Sequence, residues 1–340
     1  MSDKKTAIVI LNWNGRKIME QFLPSVVENS SSEAEIIIAD NASTDDSLDF
    51  LKKNYPQLRT IVNDKNYGFA EGYNRALEQV DADYFILLNS DVEVTPNWIA
   101  PVIEYMEEDE KRAICQPKLL SYHNRDTFEY AGGAGGFIDH LGYPFCRGRM
   151  FTTVEKDQGQ YNDPCEVFWA TGAAMFVKAD VYRQLGGLDN DFFAHMEEID
   201  FCWRAKNNGY KVCYCPDSTI YHVGGGTLPP SSPFKTFLNF RNNFALLFKN
   251  LQRHRLLYVL PLRVVLDYVA ASKFLLEGKP REFTAVVKAH WKFYAMLGKL
   301  RQKRDGLPHR NVNCIYHRSI VWDYYIGKKQ TFNDLNKNRF

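Results

Sequence analysis

The sequence predicts an α/β protein: a mostly parallel sheet with helices on both faces, followed by a basic helical C-terminal region. Two patterns predict it. Over the first ~120 residues, short β-branched runs alternate with helix-period segments, as in repeated strand–helix units that pair in parallel. After Pro229-Pro230-Ser231-Ser232-Pro233 the composition turns basic, aromatic and helical, which divides the chain into residues 1–233 and 234–340.

Ala7 to Leu11 is a continuous apolar run, expected of a strand buried on both faces. A helix is expected from about Arg16 to Glu28, then a strand at Glu35–Ala39. The next helix is expected near Ser43-Thr44-Asp45, with Ser43 or Thr44 as its cap. Thr60–Val62 reads as a third strand, Phe69–Val80 as a helix and Tyr84–Leu88 as a fourth strand. Residues 121–165 are rich in glycine turns. Thr171–Val177 and Tyr210–Tyr214 read as strands, and Ile199–Asn208 as a short helix ended by Gly209. Sheets of this kind bind ligands at the carboxyl ends of their strands. Asn12-Trp13-Asn14-Gly15, Asp40-Asn41 and Asn89-Ser90-Asp91 all fall there.

Composition narrows the setting. A hydrophobic fraction of 45% and a charged fraction of 24% exclude a largely disordered chain. The longest apolar stretch, Leu256 to Leu276, is cut by Pro261, Arg263, Asp267 and Lys273, short of the ~20 residues of a span. No signal peptide is read at Met1–Lys5. Seven cysteines without an export signal suggest a reduced, cytoplasmic setting. The net charge of +1 hides an asymmetry: residues 234–340 carry 21 Lys and Arg against 6 Asp and Glu, and residues 1–233 carry 21 against 35.

Several residues carry candidate chemistry. Asp91 is either a hard ligand for Mg²⁺ or Mn²⁺ against a diphosphate or part of a polar strand-to-loop turn. Asp40 is either an acceptor for a pyrimidine N3–H or part of an Asx-turn capping the next helix, a purpose that Asn41 and Ser43 can serve in its place. In Asn66-Tyr67-Gly68-Phe69-Ala70-Glu71-Gly72-Tyr73-Asn74 the glycines permit close approach of a ligand or of a strand. Glu197, Glu198 and Asp200 form an acidic cluster, fit either for a general base near a cation or for a helix N-terminus. His222 is either a structural histidine or a metal ligand.

Taken in order, these motifs, with Thr171-Gly172-Ala-Ala-Met and Leu185-Gly-Gly-Leu-Asp189, resemble family 2 glycosyltransferases, in particular rhamnosyltransferase-like bacterial enzymes. The resemblance covers about residues 5–250. It implies a GT-A, Rossmann-like fold and inverting transfer of a sugar from a nucleotide diphosphate. On that resemblance residues 1–120 hold the nucleotide sugar and 121–233 the acceptor. Asn12, Asn14, Asp40, Asn41, Asn66, Gly68, Asn74, Asn89 and Ser90 bind the donor. Asp91 and His222 hold Mg²⁺ or Mn²⁺, Glu198 is the base, and Thr171, Gly172, Glu197 and Asp200 lie on the acceptor side. Two departures stand out: the usual DxD is Asn89-Ser90-Asp91, and the usual Glu-Asp pair is Glu197-Glu198.

The donor expected is dTDP-rhamnose or a UDP-hexose, and the acceptor a glycan or lipid-linked hydroxyl in surface polysaccharide synthesis. The basic tail either lies on an anionic membrane or packs on the acidic part, which gives an expected place on the inner face of the cell membrane. The alternatives are a non-catalytic nucleotide-sugar binding protein and a nucleotidyltransferase. Nucleic acid is not an expected partner, because acidic residues surround the site.

Overall fold

The computed structural model describes residues 5–224 and 232–340. Gly225, Gly226 and the Pro229–Ser231 part of the expected domain boundary lie outside the described residues.

The chain opens with β1 (Thr6–Asn12), α1 (Arg16–Ser30), β2 (Glu35–Asp40), α2 (Ser47–Asn54), β3 (Arg59–Val62), α3 (Gly68–Leu77) and β4 (Tyr84–Leu88). Strands β3-β2-β1-β4 pair side by side, all in parallel, as the alternating pattern requires. Side chains alternate across this sheet. Val9, Ile37 and Leu87 enter one core layer, and Ile8, Ile10, Ile38 and Ile86 the other. The continuous apolar runs follow from this burial on both faces.

Next come β5 (Val92–Val94), α4 (Ala100–Glu107), β6 (Arg112–Ser121), β7 (Gly136–Asp139), β8 (Pro144–Cys146), β9 (Arg149–Met150), β10 (Thr153–Val154), β11 (Cys165–Val167), β12 (Ala174–Lys178), α5 (Ala179–Gln184), α6 (Glu197–Asn207) and β13 (Lys211–His222). The large sheet continues as β4-β12-β6-β13-β11, with β5 also on β13. Strand β12 runs antiparallel to both β4 and β6, so the second half of the sheet is mixed. The expected strand at Tyr210–Tyr214 runs on to His222 as one long strand, β13, with an irregularity in its pairing to β6 between Cys215 and Thr219. The glycine-rich middle segment contributes four strands, β10-β9-β8-β7, to a second sheet.

The C-terminal part holds α7 (Pro233–Asn250), α8 (Arg253–Leu276), α9 (Pro280–Asp305), β14 (Ile315–Tyr316) and α10 (Ile320–Tyr325). It is not helical throughout: β14 pairs with β7, and Phe332 and Phe340 pack on Phe137. Among the described residues no helix is long and apolar enough to cross a membrane.

One boundary differs from the sequence reading. Helix α2 starts at Ser47 and neither Ser43 nor Thr44 caps it. Ser43 Oγ accepts hydrogen bonds from Asn12 Nδ2 (3.1 Å) and the Asn14 amide (2.9 Å), and the Thr44 amide donates to Asn14 Oδ1 (2.7 Å). These polar residues tie two loops together instead of ending a helix.

Candidate active site

The carboxyl ends of β1 and β2 are in register, Asn12 beside Asp40. Asn12 Nδ2 donates to Asp40 Oδ2 at 2.9 Å, and the Ser43 amide donates to Asp40 Oδ1 at 2.8 Å. Asp40 is fully buried and itself closes the turn assigned above to Asn41 and Ser43. Asn41 bridges three segments: Nδ2 donates to Asn66 Oδ1 and the Gly68 carbonyl (both 3.0 Å), and Oδ1 accepts from Asn63 Nδ2 (3.1 Å) and the Tyr67 amide (3.2 Å). Asn14 sits at a positive φ of 52°, which its short polar side chain tolerates.

The glycines of the 66–74 segment serve packing. Gly68 has φ of +77°, and a Cβ there would lie 2.5 Å from the Phe193 ring. A Cβ on Gly72 would press on Asn41 and Leu11, both at 3.0 Å. Asn74 is a correction to its donor-side placement. Its Nδ2 donates to the Leu188 carbonyl (2.8 Å), and its Oδ1 accepts from Tyr182 Oη (2.7 Å) and the Leu188 amide (2.9 Å). It secures the Leu185-Gly-Gly-Leu188 loop.

Past β4, Asn89 and Ser90 are partly exposed and Asp91 is nearly enclosed. Antiparallel pairing sets His222 opposite Val92, next to Asp91. His222 Nε2 lies 3.1 Å from Asp91 Oδ1 and 3.5 Å from Asn89 Nδ2; its Nδ1 lies 3.4 Å from Glu129 Oε1. Burial alone would push this imidazole down. Hydrogen bonds and charge from Asp91 and Glu129 outweigh that and raise it to about 10. Among the described residues no group of three His, Cys, Asp or Glu side chains forms a ready-made metal cluster. Asp91 and His222 bring one carboxylate oxygen and one imidazole nitrogen to the sheet edge, and the nitrogen can ligate a cation only once the ring gives up its proton.

The other wall is the start of α6. Phe193, His195 and Met196 precede it with φ of 65°, 68° and 73°, a strained run for non-glycine residues. The Phe193 carbonyl accepts from the amides of Phe69 (2.8 Å) and Ala70 (3.4 Å) and so covers the N-terminus of α3. Glu198 is half-buried, and its Oε2 is enclosed without a hydrogen-bond partner. It faces the entry to β12: a Cβ on Gly172 would sit 3.9 Å from Glu198 Cβ. The Ala173 carbonyl in turn accepts from the Asn89 amide at 2.9 Å. Thr171, buried, holds this entry through its amide on Gln116 Oε1 (2.9 Å) and its Oγ1, which accepts from the Ala173 amide (3.2 Å). Residues 171–173 therefore join the acidic pair to the Asn89–Asp91 edge. Burial raises Glu198 to about 7. Burial, with the Glu198 charge beside it, lifts Glu197 well above the carboxylate range.

Asp200 is a second correction. It is fully buried away from the acceptor side, accepting from Arg204 Nε (2.8 Å), Lys249 Nζ (2.9 Å) and Asn250 Nδ2 (2.8 Å). Burial would raise it, but Lys249 and Arg204 outweigh burial and lower it.

The sequence reading missed three contributors. Arg241 Nη2 donates to the Asp191 (3.0 Å) and Phe192 (2.9 Å) carbonyls. Asn242 Nδ2 lies within donating distance of the Phe192 (2.9 Å), Ala194 (2.9 Å) and His195 (2.7 Å) carbonyls. Together they clamp the strained loop. Their signal was two polar residues inside an apolar helical pattern, Phe237, Leu238 and Phe244. Glu129, behind His222, left no local signal.

Known proteins resemble this chain in sequence and in fold. The model of "Glycosyl transferase family 2" matches residues 7–186. An N-acetylglucosaminyl-diphospho-decaprenol L-rhamnosyltransferase of Mycobacterium tuberculosis is 24% identical over 233 residues, 63% of this chain and 75% of that protein. Among solved structures, GalNAc-T7 with UDP, GalNAc and Mn²⁺ superposes with a TM-score of 0.60 at 16% identity, covering 96% of this chain and 57% of that one. A Pyrobaculum calidifontis mannosyltransferase with GDP-Man and Mn²⁺ gives 0.53 at 12% identity, covering 90% and 84%. These likenesses show the fold expected from the sequence. With more than half its length matched by the family model, the chain is a transferase enzyme that belongs to glycosyl transferase family 2.

Proposed function

We propose that the chain transfers a sugar, with inversion, from a nucleotide-diphosphate donor to a hydroxyl of a glycan or lipid-linked acceptor in surface polysaccharide synthesis. The observation that carries this is Glu198 Oε2: an enclosed carboxylate oxygen with no partner, joined through residues 171–173 to the edge where Asp91 and His222 converge. An unsatisfied buried carboxylate is costly unless a substrate completes it.

In the reaction, the acceptor oxygen attacks the anomeric carbon from the face opposite the leaving group. The bond from that carbon to the diphosphate oxygen breaks, and its electron pair leaves with the diphosphate. Glu198 takes the hydroxyl proton, so it must be ionised, and burial places its ionisation near neutral pH. Asp91 and His222 would hold the divalent cation, which when bound neutralises charge on the departing diphosphate. Glu129 orients His222 from behind. Asn12, Asn14, Asn41 and Asn66 shape the loops that receive the donor, and Gly68 lets the Phe193 loop close on α3. Asp40, whose two oxygens are taken by Asn12 and the Ser43 amide, supports recognition of the pyrimidine base through the turn that it closes. Asn89 and Ser90 border the diphosphate; Thr171, Gly172 and Glu197 border the acceptor.

The rhamnosyltransferase relative supports rhamnose, hence dTDP-rhamnose, with UDP-hexoses as the competing donors. That relative's name includes a lipid-linked diphosphate, which supports a carrier-bound acceptor and work at the cytoplasmic face of an anionic membrane. A nucleotide-sugar screen by thermal shift, with and without Mn²⁺, tests this reading. The expected result is cation-dependent stabilisation by one donor, scaling as RT ln(1 + [L]/Kd). Indifference to every nucleotide sugar in the presence of cation would overturn it.

A further inference from the structure

Helix α8 is turned inside out. Its buried stripe is Val259, Arg263, Asp267 and Ala271, four apart on one face. The charged pair is held inside. Arg263 Nη1 donates to the Leu141 carbonyl (2.8 Å), and its guanidinium stacks 3.9 Å from the Tyr143 ring centre. Asp267 is met by Arg263 (3.4 Å) and by His290 of α9 (3.4 Å). Of the residues that interrupt the apolar run in the sequence, Arg263 and Asp267 therefore point inward while Pro261 and Lys273 stay exposed, and the opposite face is largely apolar. Leu257, Val265, Val269 and Leu276 stand on it, Leu257 80% and Leu276 90% exposed. Trp291 of α9 is 74% exposed, and Tyr258, Tyr268 and Tyr294 are also open to solvent. Single exposed apolar residues are ordinary; a whole helix face that buries its charges and shows its aliphatics is not.

From this inversion we infer that the outer face of α8, with the adjoining face of α9, is the surface by which the protein docks on an anionic lipid bilayer. Charge complementarity selects that occupant. Arg253, Arg281, Lys288 and Lys292 are exposed beside the apolar face and make no ion pair among the described residues. Aliphatic side chains flanked by Trp, Tyr and Lys suit the boundary between acyl chains and headgroups. The cations of the tail that face inward have other work: Lys249, Lys299 and Lys303 pair with Asp189, Asp191 and Asp200. The tail thus packs on the acidic part with one set of charges and presents a second set outward. Helix α7 links this face to the active site, since its Phe234 ring meets Phe193, 6.3 Å between centres, in the loop before Glu197.

This placement rests on the reading of a membrane-borne acceptor, and the test separates the two. Full-length protein is sedimented with phosphatidylglycerol or phosphatidylcholine vesicles at low and ~0.5 M salt, where screening is strong. The parent, a Val265→Asp/Val269→Asp variant and a Lys288→Glu/Lys292→Glu variant are compared, with melting temperature, solution mass and UDP and dTDP binding measured on each. The expected result is salt-sensitive binding to phosphatidylglycerol alone, lowered about tenfold or more in both variants, with melting temperature and nucleotide binding unchanged. Protein that ignores phosphatidylglycerol at low salt, or variants that bind like the parent, would overturn it. So would a parent dimer that ignores vesicles and that Val265→Asp/Val269→Asp splits into monomers, because the face would then join two copies. Vesicle binding of the expected kind without nucleotide binding would sink the proposed function and leave the lipid face standing.

Discussion

The two walls of the site differ in how far their polar groups are satisfied. On the donor side, the side chains of Asp40, Asn41 and Asn66 direct polar atoms at one another and at backbone groups. On the acceptor side, Glu197 Oε2, Glu198 Oε2 and His195 Nε2 are enclosed without partners, on a backbone with three non-glycine residues at positive φ. The first wall leaves one enclosed atom, Asn12 Oδ1, without a partner and holds Asn14 and Ala42 at positive φ, but its other polar groups are tied to one another. The second is held from outside, by Arg241 and Asn242 on its loop and by Lys249 on Asp200. Unsatisfied groups and strain concentrate where a substrate has to complete the structure.

Breaking the outside support gives the largest expected effect on stability. Asp200→Ala leaves Lys249 and Arg204 without their shared partner in the interior, and the expected loss is ~3–5 kcal/mol, read by denaturant unfolding. A loss below ~1 kcal/mol would show that Asp189 alone holds Lys249.

Asn242→Ala frees the carbonyls of Phe192, Ala194 and His195 while leaving every proposed substrate contact in place. A displaced base is expected to lower kcat by up to ~10²-fold, with donor affinity unchanged. Equal loss of kcat and donor binding would mean that the clamp supports the donor wall as well.

The smallest effect concerns pH, and its sign separates the two carboxylates. Glu198 is raised on folding to about 7, so the folded state favours its protonated form. It destabilises the fold increasingly as pH rises from its unfolded value through 7. Glu198→Gln should therefore be more stable than the parent at pH 8, by roughly 1–3 kcal/mol, with the difference fading below pH 5. Asp200 is lowered, so its contribution is present above its unfolded value and is lost as pH falls through the folded one. Melting curves from pH 4 to 8 check both signs.

Much of the fold was legible because period and burial coincide. Runs such as Ala7–Leu11 and Tyr84–Leu88 are apolar at every position only if both faces are covered, and the parallel half of the sheet follows. The antiparallel insertion of β12 was not legible, since its pairing with β4 and β6 depends on contacts distant in sequence. In the site, Asp91, His222 and Glu198 stand at strand and helix ends, where local signals show. Asn74 and Asp200 sit in the same motifs yet turn to Leu188 and Lys249, because a motif's spacing does not say which way each side chain faces. Glu129 and Asn242 act across the fold from segments with no local mark. The inversion of α8 was hidden for a related reason. Arg263 and Asp267 interrupt an apolar run on paper, and only the packing of α9 and Tyr143 turns them inward.

The most direct measurement is transfer rate alongside donor affinity in Glu198→Gln, which keeps the size of the side chain and removes its capacity to take a proton. If the unpartnered carboxylate is the base, kcat falls by ~10²–10⁴-fold, the donor binds as tightly as before and the protein melts no lower than the parent at pH 8. Near-normal turnover in Glu198→Gln beside an inactive Glu197→Gln would contradict the account and move the base to Glu197.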